Sequence, residues 1–199
     1  FFVNAIGTYL EGDSRQRSKN FSWGGQFGAN AVVGDVALLG GIGYYSIPSK
    51  ARTTTFGDPT DPGDFFGNTA VEAGGLACGT TADTECVYLY DYDLMQVFGQ
   101  ASFEVGQWPA LVFFDYVNNS DPSDNNTGWI LGTKIGSARD RGQTQFTYYY
   151  ADKEADSMLG LVTDSDFGGG GTDSKGHWLQ FNYGVNKSWT VGAQYFINE

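Results

Sequence analysis

The chain has 199 residues, 41% of them hydrophobic and only 17% charged, with a formal net charge of −12. That length suffices for one domain with a core of its own, and the acidic balance argues against a nucleic-acid partner, because phosphate contacts need a basic face. No run reaches the roughly 18 to 20 uninterrupted apolar residues of a membrane helix; the nearest, Ala31 to Ile47, is broken by Asp35, Ser46 and four glycines.

Period-two alternation picks out strands in chain order. Phe1 to Leu10 carries a weak strand pattern. Phe21, Trp23, Gly25 and Phe27 then alternate with Ser22, Gly24, Gln26 and Gly28. Val36 to Ser46 is apolar or small on both faces. Met95, Val97, Gly99, Ala101 and Phe103 alternate with Gln96, Phe98, Gln100, Ser102 and Glu104. Ala110, Val112, Phe114 and Tyr116 alternate with Leu111, Phe113, Asp115 and Val117. Trp129, Leu131, Thr133 and Ile135 oppose Ile130, Gly132, Lys134 and Gly136. Phe146, Tyr148 and Tyr150 oppose Gln145, Thr147 and Tyr149. Leu179, Phe181 and Tyr183 oppose Gln180, Asn182 and Gly184, and Trp189, Val191, Ala193 and Tyr195 oppose Thr190, Gly192, Gln194 and Phe196. The pattern predicts nine strands of about ten residues.

The connections alternate in length. Long polar segments at 11–19, 47–92, 118–127 and 152–175 alternate with short turns near 30–35, 105–109, 137–142 and 185–188. This is the layout of an antiparallel meander with one elaborate end and one plain end, as in transmembrane β-barrels. The polar faces carry Gln, Asn, Ser, Thr and Gly rather than many charges, which fits a wet lumen opposite lipid. Aromatics gather at strand ends, with Trp23, Tyr44, Tyr116, Trp129 and Tyr150 near the long segments and Trp108 and Trp189 near the short turns. Such rings favour a membrane interface. Mean hydropathy is −0.30, a value that does not argue against a barrel whose alternate residues alone face lipid.

The fold expected is therefore all-β, an antiparallel transmembrane β-barrel, with 1–199 forming part of a single barrel domain. Bacterial single-chain barrels have even strand numbers and no free edge. Nine strands thus imply at least one more after Glu199 and an unknown number before Phe1, so the chain reads as an internal piece of a longer protein. Its pore-lining candidates are Gln96, Gln100, Asp115, Lys134, Gln145, Thr147, Gln180, Asn182 and Gln194. The segment 47–92 is expected to fold into the lumen or over the outer mouth, anchored by Phe65-Phe66.

Cys78 and Cys86 lie within that segment, and a disulfide between them suits an oxidising compartment. A two-cysteine metal site is the alternative, but the only histidine, His177, is distant in sequence. Asp164, Asp166 and Asp173 around the Gly168–Gly171 run could hold Ca²⁺ through carboxylates and loop carbonyls. No bidentate glutamate follows at the EF-hand offset, and a glycine-rich outer loop is the simpler reading. Asp58, Asp61 and Asp64, with Pro59 and Pro62, read as turn formers. The glycine run lacks the Lys-Ser/Thr ending of a phosphate loop. His177 has Ser174 and Asp173 nearby but no nucleophile elbow. No catalytic residue and no cofactor are expected.

Four segments resemble a known family. They are Tyr90-Asp91-Tyr92-Asp93-Leu94, Trp108-Pro109-Ala110-Leu111-Val112-Phe113-Phe114-Asp115-Tyr116-Val117-Asn118-Asn119, Lys153-Glu154-Ala155-Asp156, and Thr163-Asp164-Ser165-Asp166-Phe167-Gly168-Gly169-Gly170-Gly171-Thr172. Their order and sequence resemble the "putative porin" family of Gram-negative outer membranes, from about Tyr90 to Glu199. The resemblance implies an outer-membrane barrel with extracellular long loops. Its partners would be the lipid bilayer, lipopolysaccharide and the small hydrophilic solutes or cations that diffuse through it. By analogy with large porins it would form a homotrimer. Acidic loops predict a cation preference. The alternative is a plugged barrel acting as an anchor or adhesin, because Phe98, Phe113, Tyr149, Trp178 and Phe196 share the polar face. A soluble carbohydrate-binding β-domain is the third reading.

Overall fold

The computed structural model describes residues 1–10, 21–54 and 56–199. The strands are β1 (Phe2–Tyr9), β2 (Phe21–Val33), β3 (Val36–Ile47), β4 (Ala70–Glu72), β5 (Cys86–Tyr88), β6 (Tyr92–Val105), β7 (Trp108–Asn119), β8 (Thr127–Gly136), β9 (Thr144–Lys153), β10 (Ser174–Asn186) and β11 (Trp189–Asn198). Nine of them form one sheet in the order β1-β2-β3-β6-β7-β8-β9-β10-β11. Every neighbouring pair is antiparallel. The meander read from the alternation is thus present, strand for strand. β1 and β11 stand at the two ends of this order, and no pairing joins them among the described residues. The predicted polar segment 11–19 lies outside the described residues.

The short turns follow from local chemistry. Val33 pairs with Val36 and Val105 with Trp108, so two residues connect each hairpin. In both, the first of these is glycine at positive φ, Gly34 at 59° and Gly106 at 65°. That position, followed by a residue at negative φ, is the type II′ geometry that matches strand twist. The β10–β11 turn instead uses Asn186, whose side-chain oxygen accepts from the N–H groups of Ser188 (2.8 Å) and Trp189 (3.0 Å). The turn between β8 and β9 folds back to β10, where Gly142 donates to the Gly184 carbonyl (2.8 Å) and Gly184 to that of Gln143 (2.9 Å).

Register sorts the residues onto two faces. One row reads Phe27, Ile42, Val97, Tyr116 and Trp129 across five strands. Another reads Ala31, Leu38, Ala101, Val112, Thr133, Tyr148, Leu179 and Tyr195 across eight. Most of the large side chains on this face are exposed. The opposite face is amide-rich, with a row of Gln194, Gln180, Thr147 and Lys134.

The long segment 48–91 is not plain coil. It contains a 3-10 turn, Pro62–Phe65, and the small β4–β5 hairpin. Three-residue strands are too short for alternation to register, so the sequence pattern misses them. The disulfide Cys78–Cys86 closes this hairpin. Asp58, Asp61 and Asp64 act as turn formers: Asp58 accepts from the Thr60 N–H (2.9 Å) and hydroxyl (2.8 Å), Asp61 from the Gly63 N–H (2.8 Å), and Asp64 from the Asp58 N–H (2.5 Å).

The buried core sits where loops meet the polar face. Phe65, Cys86 and Tyr88 of 48–91 and Leu159 of 154–173 pack with Tyr92, Leu94 and Val117 of the sheet. Phe65 is fully buried. A buried Phe or Leu contributes about 1.5–3 kcal/mol relative to exposure, so these side chains are the apolar anchor of both loops.

Candidate functional site

All nine lining candidates fall on the amide-rich face. Gln96 and Gln100 come from β6, Asp115 from β7, Lys134 from β8, Gln145 and Thr147 from β9, Gln180 and Asn182 from β10, and Gln194 from β11. Register brings Gln180 opposite both Thr147 and Gln194, and Asn182 opposite Gln145. Thr147 differs from the rest. It is 4% exposed, between the longer side chains of its register neighbours Lys134 and Gln180. It therefore offers little surface to anything in front of the sheet.

Three aromatics of this face, Phe2, Phe98 and Phe113, lie along the sheet rather than away from it. A Cβ placed on Gly132 would stand 2.4 Å from Cζ of Phe113, one on Gly41 2.7 Å from Cζ of Phe98, and one on Gly28 2.3 Å from Cζ of Phe2. Each ring thus covers a glycine on a neighbouring strand, a known way to pack strand glycines. Sequence alone treats these rings as space fillers; their placement shows that they occupy little room in front of the sheet. Tyr149 and Trp178 stack with centroids 4.8 Å apart.

Two loops close over one end of this face and are bolted to each other. Asn68 is 6% exposed. Its Nδ2 donates to the carbonyls of Ala155 (2.7 Å) and Met158 (2.8 Å) and to the Thr172 hydroxyl (3.1 Å). Its Oδ1 accepts from the Gly160 N–H (2.7 Å). Asp156, itself buried, accepts from the Thr69 N–H (2.9 Å) and hydroxyl (2.5 Å). Thr172 donates its N–H to the Phe66 carbonyl (2.9 Å) and its hydroxyl to that of Ala155 (2.6 Å). Asn119, at the end of β7, donates to the carbonyls of Asp91 and Asp156 (3.0 Å each) and accepts from the Asp93 N–H (3.0 Å). Buried side chains satisfied this fully rigidify a loop. Nothing in a polar loop sequence marks Asn68; its role comes from partners 87 to 104 residues away.

The 154–173 loop also reaches the strands. Phe167, 1% exposed, packs on Tyr149 at 5.8 Å between centroids. The Lys153 ammonium sits 4.8 Å from the Phe167 ring centre and donates to the Gly171 carbonyl (2.6 Å). Between this loop and the sheet lies a cavity of about 330 Å³, lined among others by Tyr45, Gln96, Asp115, Tyr149, Lys153 and Asp164. A hydrogen-bonded chain runs along the sheet into it, ending on Gln96 and Asp115. Asn4 Nδ2 donates to Gln26 Oε1 (3.3 Å), Gln26 Nε2 to Gln96 Oε1 (2.9 Å), and Gln96 Nε2 to Asp115 Oδ2 (2.7 Å). The Tyr45 hydroxyl also donates to Gln96 Oε1 (3.3 Å).

In the β4–β5 region, Glu72 accepts from the Thr81 N–H (2.6 Å), which holds its carboxyl below the ordinary carboxylate value. Burial pushes the Tyr88 phenol above its ordinary value.

Asp164, Asp166 and Asp173 are not gathered for Ca²⁺. Asp164 accepts from the Asp166 N–H (3.0 Å), a local turn bond, and among the described residues no group of three or more acidic, His or Cys side chains is placed to hold a metal. Ser174 and His177 stand on opposite faces of β10, and His177 Nδ1 is bonded to the Tyr148 hydroxyl (2.9 Å) on the apolar face.

The four segments that carry the family resemblance supply most of the loop bolts: Asp91, Asp93, Asn119, Ala155, Asp156 and Thr172 belong to them. No curated protein and no solved structure matches the chain. Over residues 80–199, which take in β5 and every strand after it, the chain matches the model of the family described as "Putative porin", and it belongs to that family.

Proposed function

We propose that the chain is part of an outer-membrane β-barrel channel through which small hydrophilic solutes or ions diffuse, with a preference for cations. The observation that carries this reading is the division of the sheet into an exposed apolar face and an amide-lined face. An aqueous lumen inside a lipid-facing barrel needs that division. Further support comes from ring belts on the apolar face. Trp23 and Tyr44 (5.5 Å between centroids) and Trp129 and Tyr150 (5.2 Å) sit at the long-loop end, while Trp108 and Trp189 stand exposed at the other. Amphipathic rings at two levels fit two bilayer interfaces. The lipid bilayer and lipopolysaccharide would then meet the apolar face, with the long loops outside the cell. The flat Phe2, Phe98 and Phe113 rings take little room in front of the sheet, and no chemistry is needed: selectivity follows from width, lining polarity and fixed charge.

A second reading has its own observation. The 48–91 and 154–173 loops dock on the amide-lined face, and a barrel stoppered by them would serve as an anchor or binding surface. Single-channel recording separates the two. The intact parent protein, purified in detergent and placed in a planar bilayer under a KCl gradient, is expected to give steady open steps with a cation-side reversal potential. Insertion without conductance would refute the channel and favour the stopper. An anion-side potential would refute the cation preference.

A further inference from the structure

The cavity behind the 154–173 loop holds one carboxylate that the strands prepare from several positions. Asn4 on β1, Gln26 on β2 and Gln96 on β6 each hand an N–H to the next acceptor, and the chain ends on Asp115 of β7. All three amides point the same way. Their donor ends face Asp115, so the ladder favours its ionised form and holds its orientation. A carboxylate has acceptor capacity beyond its bonds from Gln96 and the Tyr116 backbone. The other charged groups lining the cavity are Lys153 and Asp164. The Lys153 ammonium is engaged by the Gly171 carbonyl and the Phe167 ring on the loop side. The charge in the cavity therefore sums to one negative unit, and its fixed point is Asp115.

We infer that this cavity is a subsite for small monovalent cations, with the Asp115 carboxylate as the group that sets cation-over-anion selectivity. The inference rests on the channel reading above. A passing cation meets Asp115 where the docked loop narrows the space in front of the sheet, and an anion meets the same carboxylate as a barrier. The other lining candidates are neutral apart from Lys134, which lies on the β8–β9 pairing beyond Gly132, toward the short-turn end.

The test is the reversal potential of the parent protein in planar bilayers under a KCl gradient, with Asp115→Asn, Asp115→Glu and the loop control Asp58→Asn. Asp115→Asn keeps an acceptor for Gln96 and removes the charge. The cation-to-anion permeability ratio is expected to fall at least about five-fold, the Boltzmann factor of one unit-charge contact at roughly 4 Å in water, with the lost anion barrier adding to the fall. Asp115→Glu and Asp58→Asn should keep the wild-type ratio. Should Asp115→Asn fail to insert, Asp115→Ser reads the same site by removing the charge with a smaller polar side chain, and the ratio should again fall. A wild-type ratio in Asp115→Asn, or in Asp115→Ser where it stands in, overturns the subsite and leaves the channel intact. A parent protein that inserts and never conducts overturns both.

Discussion

Replacing Asn68 with alanine should release the two docked loops from each other. The side chain makes four hydrogen bonds into 154–173, and all of them vanish. The carbonyl of Ala155 keeps the bond from the Thr172 hydroxyl. The Gly160 N–H and the Met158 carbonyl lose the partner that Asn68 supplies. Leaving a buried polar group unsatisfied costs about 1–3 kcal/mol, so two such groups, partly relieved by entering water, cost about 3 kcal/mol. At about 1.4 kcal/mol per factor of ten, the population with the loops undocked rises about a hundred-fold. Limited proteolysis in detergent reads that population directly when cleavage is slow against reclosing. The cut is expected within 48–91, while the strands stay protected. Asn68→Asp, which keeps the acceptor for Gly160 but turns a carboxylate oxygen on the carbonyls of Ala155 and Met158, should undock the loops at least as far. Wild-type protection in Asn68→Ala would refute the claim that this residue bolts the loops together.

Gly132→Val should destabilise the sheet by about 1–3 kcal/mol, the usual cost of overpacking, because its Cβ would meet the Phe113 ring at 2.4 Å and Cβ of Tyr149 at 2.7 Å; the urea unfolding midpoint checks it, and the ring driven off its glycine should also lower single-channel conductance. Reducing Cys78–Cys86, eight residues apart, should cost about 2–3 kcal/mol of chain entropy, and hydrogen exchange should rise across β4–β5 while β6 to β11 keep their protection. Loop packing should depend on pH at both extremes. Glu72 has its folded-state value lowered, so its contribution is full above the ordinary value of 4.5 and fades as pH falls through the lowered one. Tyr88 has its value raised, so its contribution is full below the ordinary value of 10.0 and fades as pH climbs past it. Near-UV circular dichroism of the loop aromatics should hold steady between those limits, and Glu72→Gln should remove the acid limb alone.

The strands and their faces were legible because period two is written into every turn of the meander: Met95, Val97, Gly99 and Ala101 stand apart from Gln96, Phe98 and Gln100 in sequence as they do in space. Turn positions were legible as short connections near 30–35 and 105–109, where Gly34 and Gly106 take positive φ. The buried role of Phe65 could be read from an apolar pair in a polar segment, although its partner Phe66 stays half-buried in a left-handed conformation. The loop architecture was not legible. Its bonds join Asn68 to Thr172 and Thr69 to Asp156, residue types that look like ordinary loop filler until the fold sets them side by side. The lie of the rings was hidden for a related reason. Whether Phe113 projects or lies flat depends on a glycine on the adjacent strand, and that adjacency exists only after register is set.

The loop bolts also carry a consequence for the order of assembly. The sheet is built from neighbours, each of its strands pairing with the next one in line. The bonds that join 48–91 to 154–173 span 87 to 106 residues and end on a segment that comes after β9. Contacts so distant in sequence form late, because the chain between their ends must be ordered first. The 48–91 segment can therefore pack on Tyr92, Leu94 and Val117 once β6 and β7 have formed, but its bonds to 154–173 wait until β9 and the loop after it are in place. A chain halted before residue 154 would carry β1 to β9 with 48–91 seated on the sheet alone and none of its bonds to the later loop.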